Sequence, residues 1–251
     1  MKALTIARRE LHAAFTGAVG WLVLVGFGFL AGVFFQWVFT AYAEASTELV
    51  FDPYAAQQLD LGDHLLAPFF GDLAIIVVLA GPALAMRLFS EEYRTRSFEL
   101  LLTSPVTTGD IVLGKFLGAL GFAALALAVT AVGPLSLFWF GDPDPGVLAS
   151  GYLGLTLLFG AVLAMGMCAS AWTENQIVAL VTSFSAALAL FILGMFGMDD
   201  PDAWLVQLAF TGHLDDLFVG RVGLSDVTYF VAFIGFFLFA TAQRIESLRW
   251  R

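Results

Sequence analysis

Four groups of residues in this 251-residue chain have types and spacings that invite a chemical reading. Glu91, Glu92 and Arg96 spell EExxxR, a pattern in which one class of intramembrane proteases uses the glutamates to activate water. Gly109 to Lys115, GDIVLGK, fits the GxxxxGK of a phosphate-binding loop. Met165, Met167 and Cys168 place three sulfur atoms within AMGMC, a soft-metal composition. His213, Asp215 and Asp216 offer nitrogen and oxygen ligands in one short segment. Each group misses a requirement of the chemistry it suggests. The protease needs histidines deep in neighbouring spans, and His12, His64 and His213 fall at interfaces or in loops. The phosphate loop needs a preceding strand and a Ser or Thr after its lysine, where Phe116 stands. The three sulfur residues face different sides of a helix, which suits packing. No second cluster completes a coordination shell at His213, so a hydrogen-bonded turn is the preferred reading there. The chain is read as having no catalytic site, and no cofactor or metal of its own.

The elements that must position these groups are membrane spans. The chain is 60% hydrophobic and 13% charged, where a soluble domain of this size carries about a quarter charged residues. Six apolar runs are long enough to cross roughly 30 Å of hydrocarbon. They lie at 18–39, 69–87, 113–140, 147–171, 177–198 and 227–243. DPDPG at 142–146 ends one helix and WTENQ at 172–176 forms a polar hairpin. The lone Cys168 excludes an intrachain disulfide, and nothing in the first segment reads as a cleaved signal peptide.

Basic residues set the orientation. With both termini in the cytoplasm, Lys2, Arg8, Arg9, Arg87, Arg94, Arg96, Lys115, Arg244, Arg249 and Arg251 lie inside, and Arg221 alone lies outside. Most acids then fall outside, so the net charge of −10 belongs to the outer loops. Ahead of the first span, Lys2, Thr5, Arg9, His12 and Thr16 recur at helical spacing, with Leu4, Ala7, Leu11, Ala14 and Phe15 largely opposite. Residues 1–17 are therefore expected to form an amphipathic helix in the membrane plane. Gly28 and Gly32, Gly114 and Gly118, and Gly160, Ala164 and Cys168 have the spacing of close helix contacts, within one chain or between copies. Spans three to six hold no acid, histidine or lysine in their interiors, and Asp72 sits near the outer end of span two. A proton- or ion-coupled carrier is disfavoured on that ground. Thr182, Ser183 and Ser185 are among the few polar groups in a span.

The polar stretch EEYRTRSFELLLTSPVTTGDIVLGK, residues 91–115, remains unexplained by chemistry. The helix of span two is expected to continue past Arg87 into water as LFSEEYR. Ser97 then caps a short helix, Glu99 suits its first turn, and Ser104-Pro105 ends it. Phe98, Leu100, Leu101 and Leu102 make an apolar knob ringed by charge, the composition of a protein-binding site.

This segment closely resembles the coupling segment of ABC-2 type permeases, the membrane subunits of ATP-driven exporters, with Arg96 where that family often has Gly. The end of the chain, HLDDLFVGRVGLSDVTYF from His213, resembles the gliding-motility (GldF-like) and NosY-like branch in His213, Gly220, Asp226, Tyr229 and Phe230. Leu214 and Leu217 stand where that branch has aromatics. The resemblance implies a single all-helical permease domain over 1–251, with six transmembrane helices, an in-plane N-terminal helix, a cytoplasmic coupling helix between spans two and three, and a helical outer segment before span six. It implies that residues 91–110 couple the chain to a separate cytoplasmic ATPase, which holds ATP and Mg. The contact set would be Glu91, Glu92, Arg94, Arg96, Ser97, Phe98, Glu99, Leu100, Leu101, Leu102, Thr103, Ser104 and Pro105. His213, Gly220, Asp226 and Tyr229 would belong to the outer segment. A second permease copy, the lipid bilayer of a prokaryotic inner membrane and no nucleic acid complete the implied partners. In the alternative, a mechanotransmission complex, an extracytoplasmic protein is moved instead of a cargo.

Overall fold

The computed structural model describes residues 2–48, 60–94, 106–139, 141–197 and 207–249. Among these residues every regular element is helical, and five helices are long and apolar enough to cross a membrane. They are Gly20–Thr47, Gly62–Arg94, Thr108–Trp139, Pro145–Ala171 and Leu224–Leu248. The sixth expected span, 177–198, corresponds to Gln176–Ile192, an apolar helix of 17 residues that runs on as a tighter 3₁₀ turn over Leu193–Gly197.

In chain order the α-helices are α1 (Lys2–Thr16), α2 (Ala18–Glu48), α3 (Ala67–Ala85), α4 (Arg87–Arg94), α5 (Thr108–Thr130), α6 (Val132–Ser136), α7 (Pro145–Ala171), α8 (Gln176–Ile192), α9 (Phe210–Phe218) and α10 (Leu224–Arg249). A π-helical turn, Gly62–Leu66, leads into α3. Several boundaries differ from those read off apolar runs. The first span extends beyond residue 39 to Glu48, a stretch in which Thr40, Thr47 and Ser46 return their hydroxyls to backbone carbonyls three or four residues back. The third begins at Thr108 rather than 113. Thr107 accepts from the Asp110 amide while the Asp110 side chain accepts from the Thr107 amide, a capping box that starts the helix among polar residues. Asp144 caps α7, and Asn175 caps α8 across the expected hairpin.

The central helix is α7, which touches α3, α4, α5, α8, α9 and α10. Leu158 to Met167 are buried without interruption, because neighbours surround the helix on every side. Its Met165 and Met167 are core filling, and Gly160 faces Ile234 of α10. By contrast α2 turns Trp21, Leu22, Val25, Phe29, Val33 and Trp37 outward, as expected of a lipid-facing helix.

The N-terminal helix does not lie free of the bundle. It packs along α5, burying Ala7 and half-burying Ala3, Ile6, Glu10 and Ala14. Lys2, Thr5, Arg9, His12 and Thr16 are exposed, and so is Leu4 of the apolar set, which no other helix covers among the described residues. The close-contact glycines divide. A β-carbon at Gly114 would lie 2.7 Å from Ile6 Cβ, and one at Gly118 would lie 2.7 Å from Glu10 Cβ and 2.9 Å from the Ala7 carbonyl oxygen. These two glycines let α1 and α5 meet backbone to backbone. Gly28 touches Val129, whereas Gly32 has nothing within 4 Å.

Gly118→Leu is therefore expected to push α1 off α5 and destabilise the protein by about 1–3 kcal/mol. Thermal unfolding in detergent and faster trypsin cleavage at Arg8 and Arg9 would register the change. Gly32→Ala should leave both readouts within about 0.5 kcal/mol of the parent. Unchanged behaviour of Gly118→Leu would mean that α1 does not rest on this groove.

Candidate functional site

Residues 95–105, which include Arg96, Ser97, Phe98, Glu99, Leu100, Leu101, Leu102, Thr103, Ser104 and Pro105 of the expected contact set, lie outside the described residues. Their two stems, α4 and the start of α5, are described. Both stems converge on one buried charge cluster.

The incoming stem breaks from α3 at Met86. Pro82 removes one ladder donor in the turn before. Ser170 of α7 then enters the ladder from the side. Its Oγ accepts from the Phe89 amide at 3.1 Å and the Ser90 amide at 2.9 Å, and donates to the Met86 carbonyl at 2.9 Å. Ser90 Oγ also donates to the Met86 carbonyl. A side chain that takes the amides a helix would use for its own ladder makes a kink with fixed chemistry. The expectation that LFSEEYR stands in water is corrected here: Leu88, Phe89 and Ser90 are buried, because α4 packs against α7.

One turn further on, Lys115 of α5 has a side chain only 3% exposed. Its Nζ lies 2.8 Å from Glu92 of α4 and 3.1 Å from Glu10 of α1, and 5.4 Å from the Phe89 ring centroid. One ammonium thus ties three helices together, and two partly shielded carboxylates compensate its charge. Thr108, in the first turn of α5, donates to Glu246 near the end of α10. Arg244 of α10 lies over the Trp172 ring at 4.8 Å, joining the turn after α7 to the same end of the bundle.

This arrangement bears on the described residues of the two enzyme-like patterns. The whole of GDIVLGK lies inside α5, so its amides serve a helix rather than a phosphate cradle, and its lysine is engaged by two glutamates. Glu92, expected at a contact surface beside Glu91 and Arg94, turns inward onto Lys115, while Glu91 and Arg94 are exposed.

At the opposite end, His213 Nδ1 is 2.9 Å from Asp226 Oδ1 and Nε2 is 3.0 Å from the Gln207 carbonyl oxygen. Both ring nitrogens are engaged by oxygen partners, so neither is left for a metal. The ring stacks on Tyr229 at 4.1 Å, and Tyr229 donates to the Leu208 carbonyl at 2.7 Å. Asp226 also sits in the first turn of α10, where a negative charge is favoured. Gly220 holds φ +89°, the positive-φ turn that reverses the chain between α9 and α10. His213, Asp226 and Tyr229 thus form one network with the residues ahead of α9, and Gly220 shapes the turn beside it.

Sequence reasoning used Lys115 as a topology marker and as the lysine of the phosphate-loop pattern, used Arg244 only as a topology marker, and did not single out Glu10, Ser170 or Glu246. A lysine about two turns inside an apolar helix, and a glutamate on the same side of α1 as Ala3 and Ala7, were the signals available. Pairing them required knowing that α1 folds back onto α5.

Residues 44–211, most of the chain, match the family model described as ABC-2 family transporter protein. That match takes in both stems, Lys115 and Ser170, whereas His213, Asp226 and Tyr229 lie beyond it. The chain is also similar to the probable multidrug ABC transporter permease YbhS of Escherichia coli strain K12, at 25% identity over 222 residues. The alignment covers 84% of this chain and 55% of that relative. The same figures hold for the YbhS of Escherichia coli O157:H7. The chain therefore spans about half the length of the curated relatives it matches.

Lys115→Met strands Glu10 and Glu92 and is expected to cost about 3–5 kcal/mol, read as a lower unfolding midpoint in detergent. Adding Glu10→Gln and Glu92→Gln should recover most of that loss, because no uncompensated charge is then buried. A single variant as stable as the parent would remove the cluster from the fold's supports. Ser170→Ala orphans two amides, and a loss of about 1–3 kcal/mol is expected in the same measurement.

Proposed function

The chain belongs to the ABC-2 family of transporter proteins, and from that premise we propose that it is the permease subunit of an ATP-driven exporter. In this reading it pairs with a separate ATPase that binds ATP and Mg, and acts as a dimer with a second permease copy. The observation that carries the proposal is the convergence on Lys115 of α4 and α5, the helices that flank residues 95–105. A segment that pushes or pulls on both stems moves a rigid, charge-tied junction rather than a loose loop.

The finer features follow as parts of the same proposal. Six spans cross the inner membrane, α8 with its 3₁₀ extension being the fifth, and both termini face the cytoplasm. Residues 97–105 form the coupling helix, with Leu100 to Leu102 entering a cleft of the ATPase and Glu91, Arg94, Arg96 and Glu99 at its rim. Glu92 acts from behind, through Lys115. Force on the segment reaches span two across the Ser170-held kink, span three through Lys115, and α10 through Glu246. The outer network around His213 anchors the base of the outer segment, as in the GldF-like and NosY-like branch. The name of the similar Escherichia coli permease supports transport of a cargo over the mechanotransmission alternative.

Co-purification of the full chain from its own membrane in mild detergent tests this reading. A P-loop ATPase is expected to accompany it, and Leu101→Asp should weaken that association by about 30-fold or more, the scale of a buried hot spot. Glu99→Lys should leave the protein inserted and reduce nucleotide-driven transport. An ATPase that binds Leu101→Asp as well as the parent would overturn the assignment of the segment.

A further inference from the structure

At the end of the bundle that carries His213, a cavity of about 320 Å³ opens between α3, α8 and α9. Its wall includes Gly71 of α3, Phe191 of α8, and Leu214 and Phe218 of α9, with Thr211 and Asp215 as its polar groups. The volume is at the lower bound of small-molecule sites, and the apolar lining with one or two convergent polar groups has their usual composition.

The charges around it are unequally committed. Asp216 pairs with Arg221 at 3.5 Å, and His213 is held by Asp226 and the Gln207 carbonyl. Among the described residues no cation pairs with Asp215, and the lining contains none. Burial against the apolar wall, and after it the charge of Asp216, push the Asp215 carboxyl up from its usual range. Asp215 itself stays exposed to water at the mouth of the cavity, where an arriving cation meets it as a surface ion pair. Gly71 leaves the wall open, with nothing within 4 Å of where its β-carbon would stand.

We propose that this cavity binds a cationic amphiphile, its alkyl chain lying between Phe191, Leu214 and Phe218 and its ammonium group at Asp215. The charge complementarity selects a cationic over an anionic amphiphile, and the apolar wall selects an amphiphile over a free cation. Placement of the cavity on the outer side rests on the permease reading; binding itself does not.

The full chain in lipid nanodiscs, without ATPase or nucleotide, is labelled with a dodecyltrimethylammonium analogue carrying a photoreactive group on its chain. The matched dodecyl sulfate analogue serves as the control, and labelled peptides are identified by mass spectrometry. The ammonium probe is expected to label the segments containing Phe191 and Leu214 about fivefold more than the sulfate probe, the scale of a half-exposed ion pair. Asp215→Asn should reduce it to the sulfate level, Asp215→Glu should restore it, and Gly71→Leu should suppress both probes by filling the cavity. Equal labelling by the two probes, or labelling that ignores Asp215→Asn and Gly71→Leu, overturns the proposal and leaves an unselective lipid contact. Because no ATPase or transport enters the assay, its failure would leave the permease reading standing. A failed co-purification of the ATPase would likewise leave this result intact.

Discussion

An ammonium ion taken out of water must find counter-charges or lose its proton, and this constraint organises one whole end of the molecule. Lys115 is buried within α5, and the carboxylates that compensate it come from two other helices, Glu10 of α1 and Glu92 of α4. Neither partner is near it in the α5 sequence, so the charge is satisfied only when all three helices are assembled. The glycines at 114 and 118 are part of the same solution. They bring the α1 backbone close enough for Glu10 to reach Nζ, and a larger residue would hold it away. Packing and charge here are one constraint.

The rest of that end depends on this tie. With Glu92 held, α4 cannot rotate freely about the kink at Met86, and Ser170 holds the two amides that a straight helix would otherwise use for its own ladder. The kink is thus a defined joint between α3 and α4, seated on the central helix. Thr108 and Glu246 bring α10 into the same assembly. On the permease reading, a displacement of residues 95–105 is delivered to four helices at once, because in a close-packed interior no one of them can move without its neighbours.

The far end uses a different device. His213, Asp226, Tyr229 and two backbone carbonyls make a hydrogen-bonded network that fixes α9 across the start of α10, with Gly220 turning the chain between them. Its parts lie within a short stretch of sequence, so their grouping was visible as a segment before any contact was known. The cluster at Lys115 had no such locality. Its members are spread from residue 10 to residue 115, and each alone looks like an ordinary charged residue near a membrane boundary.

Local rules account for what was legible. Long apolar runs must become helices in a membrane, because no water is present to satisfy the backbone, and Pro143, Pro145 and the WTENQ stretch mark where those helices must stop. The caps at Thr107, Asp144 and Asn175 obey the same local logic, although the Thr107 cap moved the start of α5 well ahead of its apolar run. The sequence by itself therefore determined an all-helical membrane protein and the five segments that are long and apolar enough to span. Tertiary structure alone decided that α1 docks on α5 rather than standing apart, that Glu92 faces inward, that Leu88, Phe89 and Ser90 of LFSEEYR are covered, and that a serine from α7 occupies the kink of α3 and α4. Those outcomes rest on ion pairs and hydrogen bonds between residues far apart in the chain. Such pairs have no periodicity to read, and their energy appears only when desolvation makes each partner require the other.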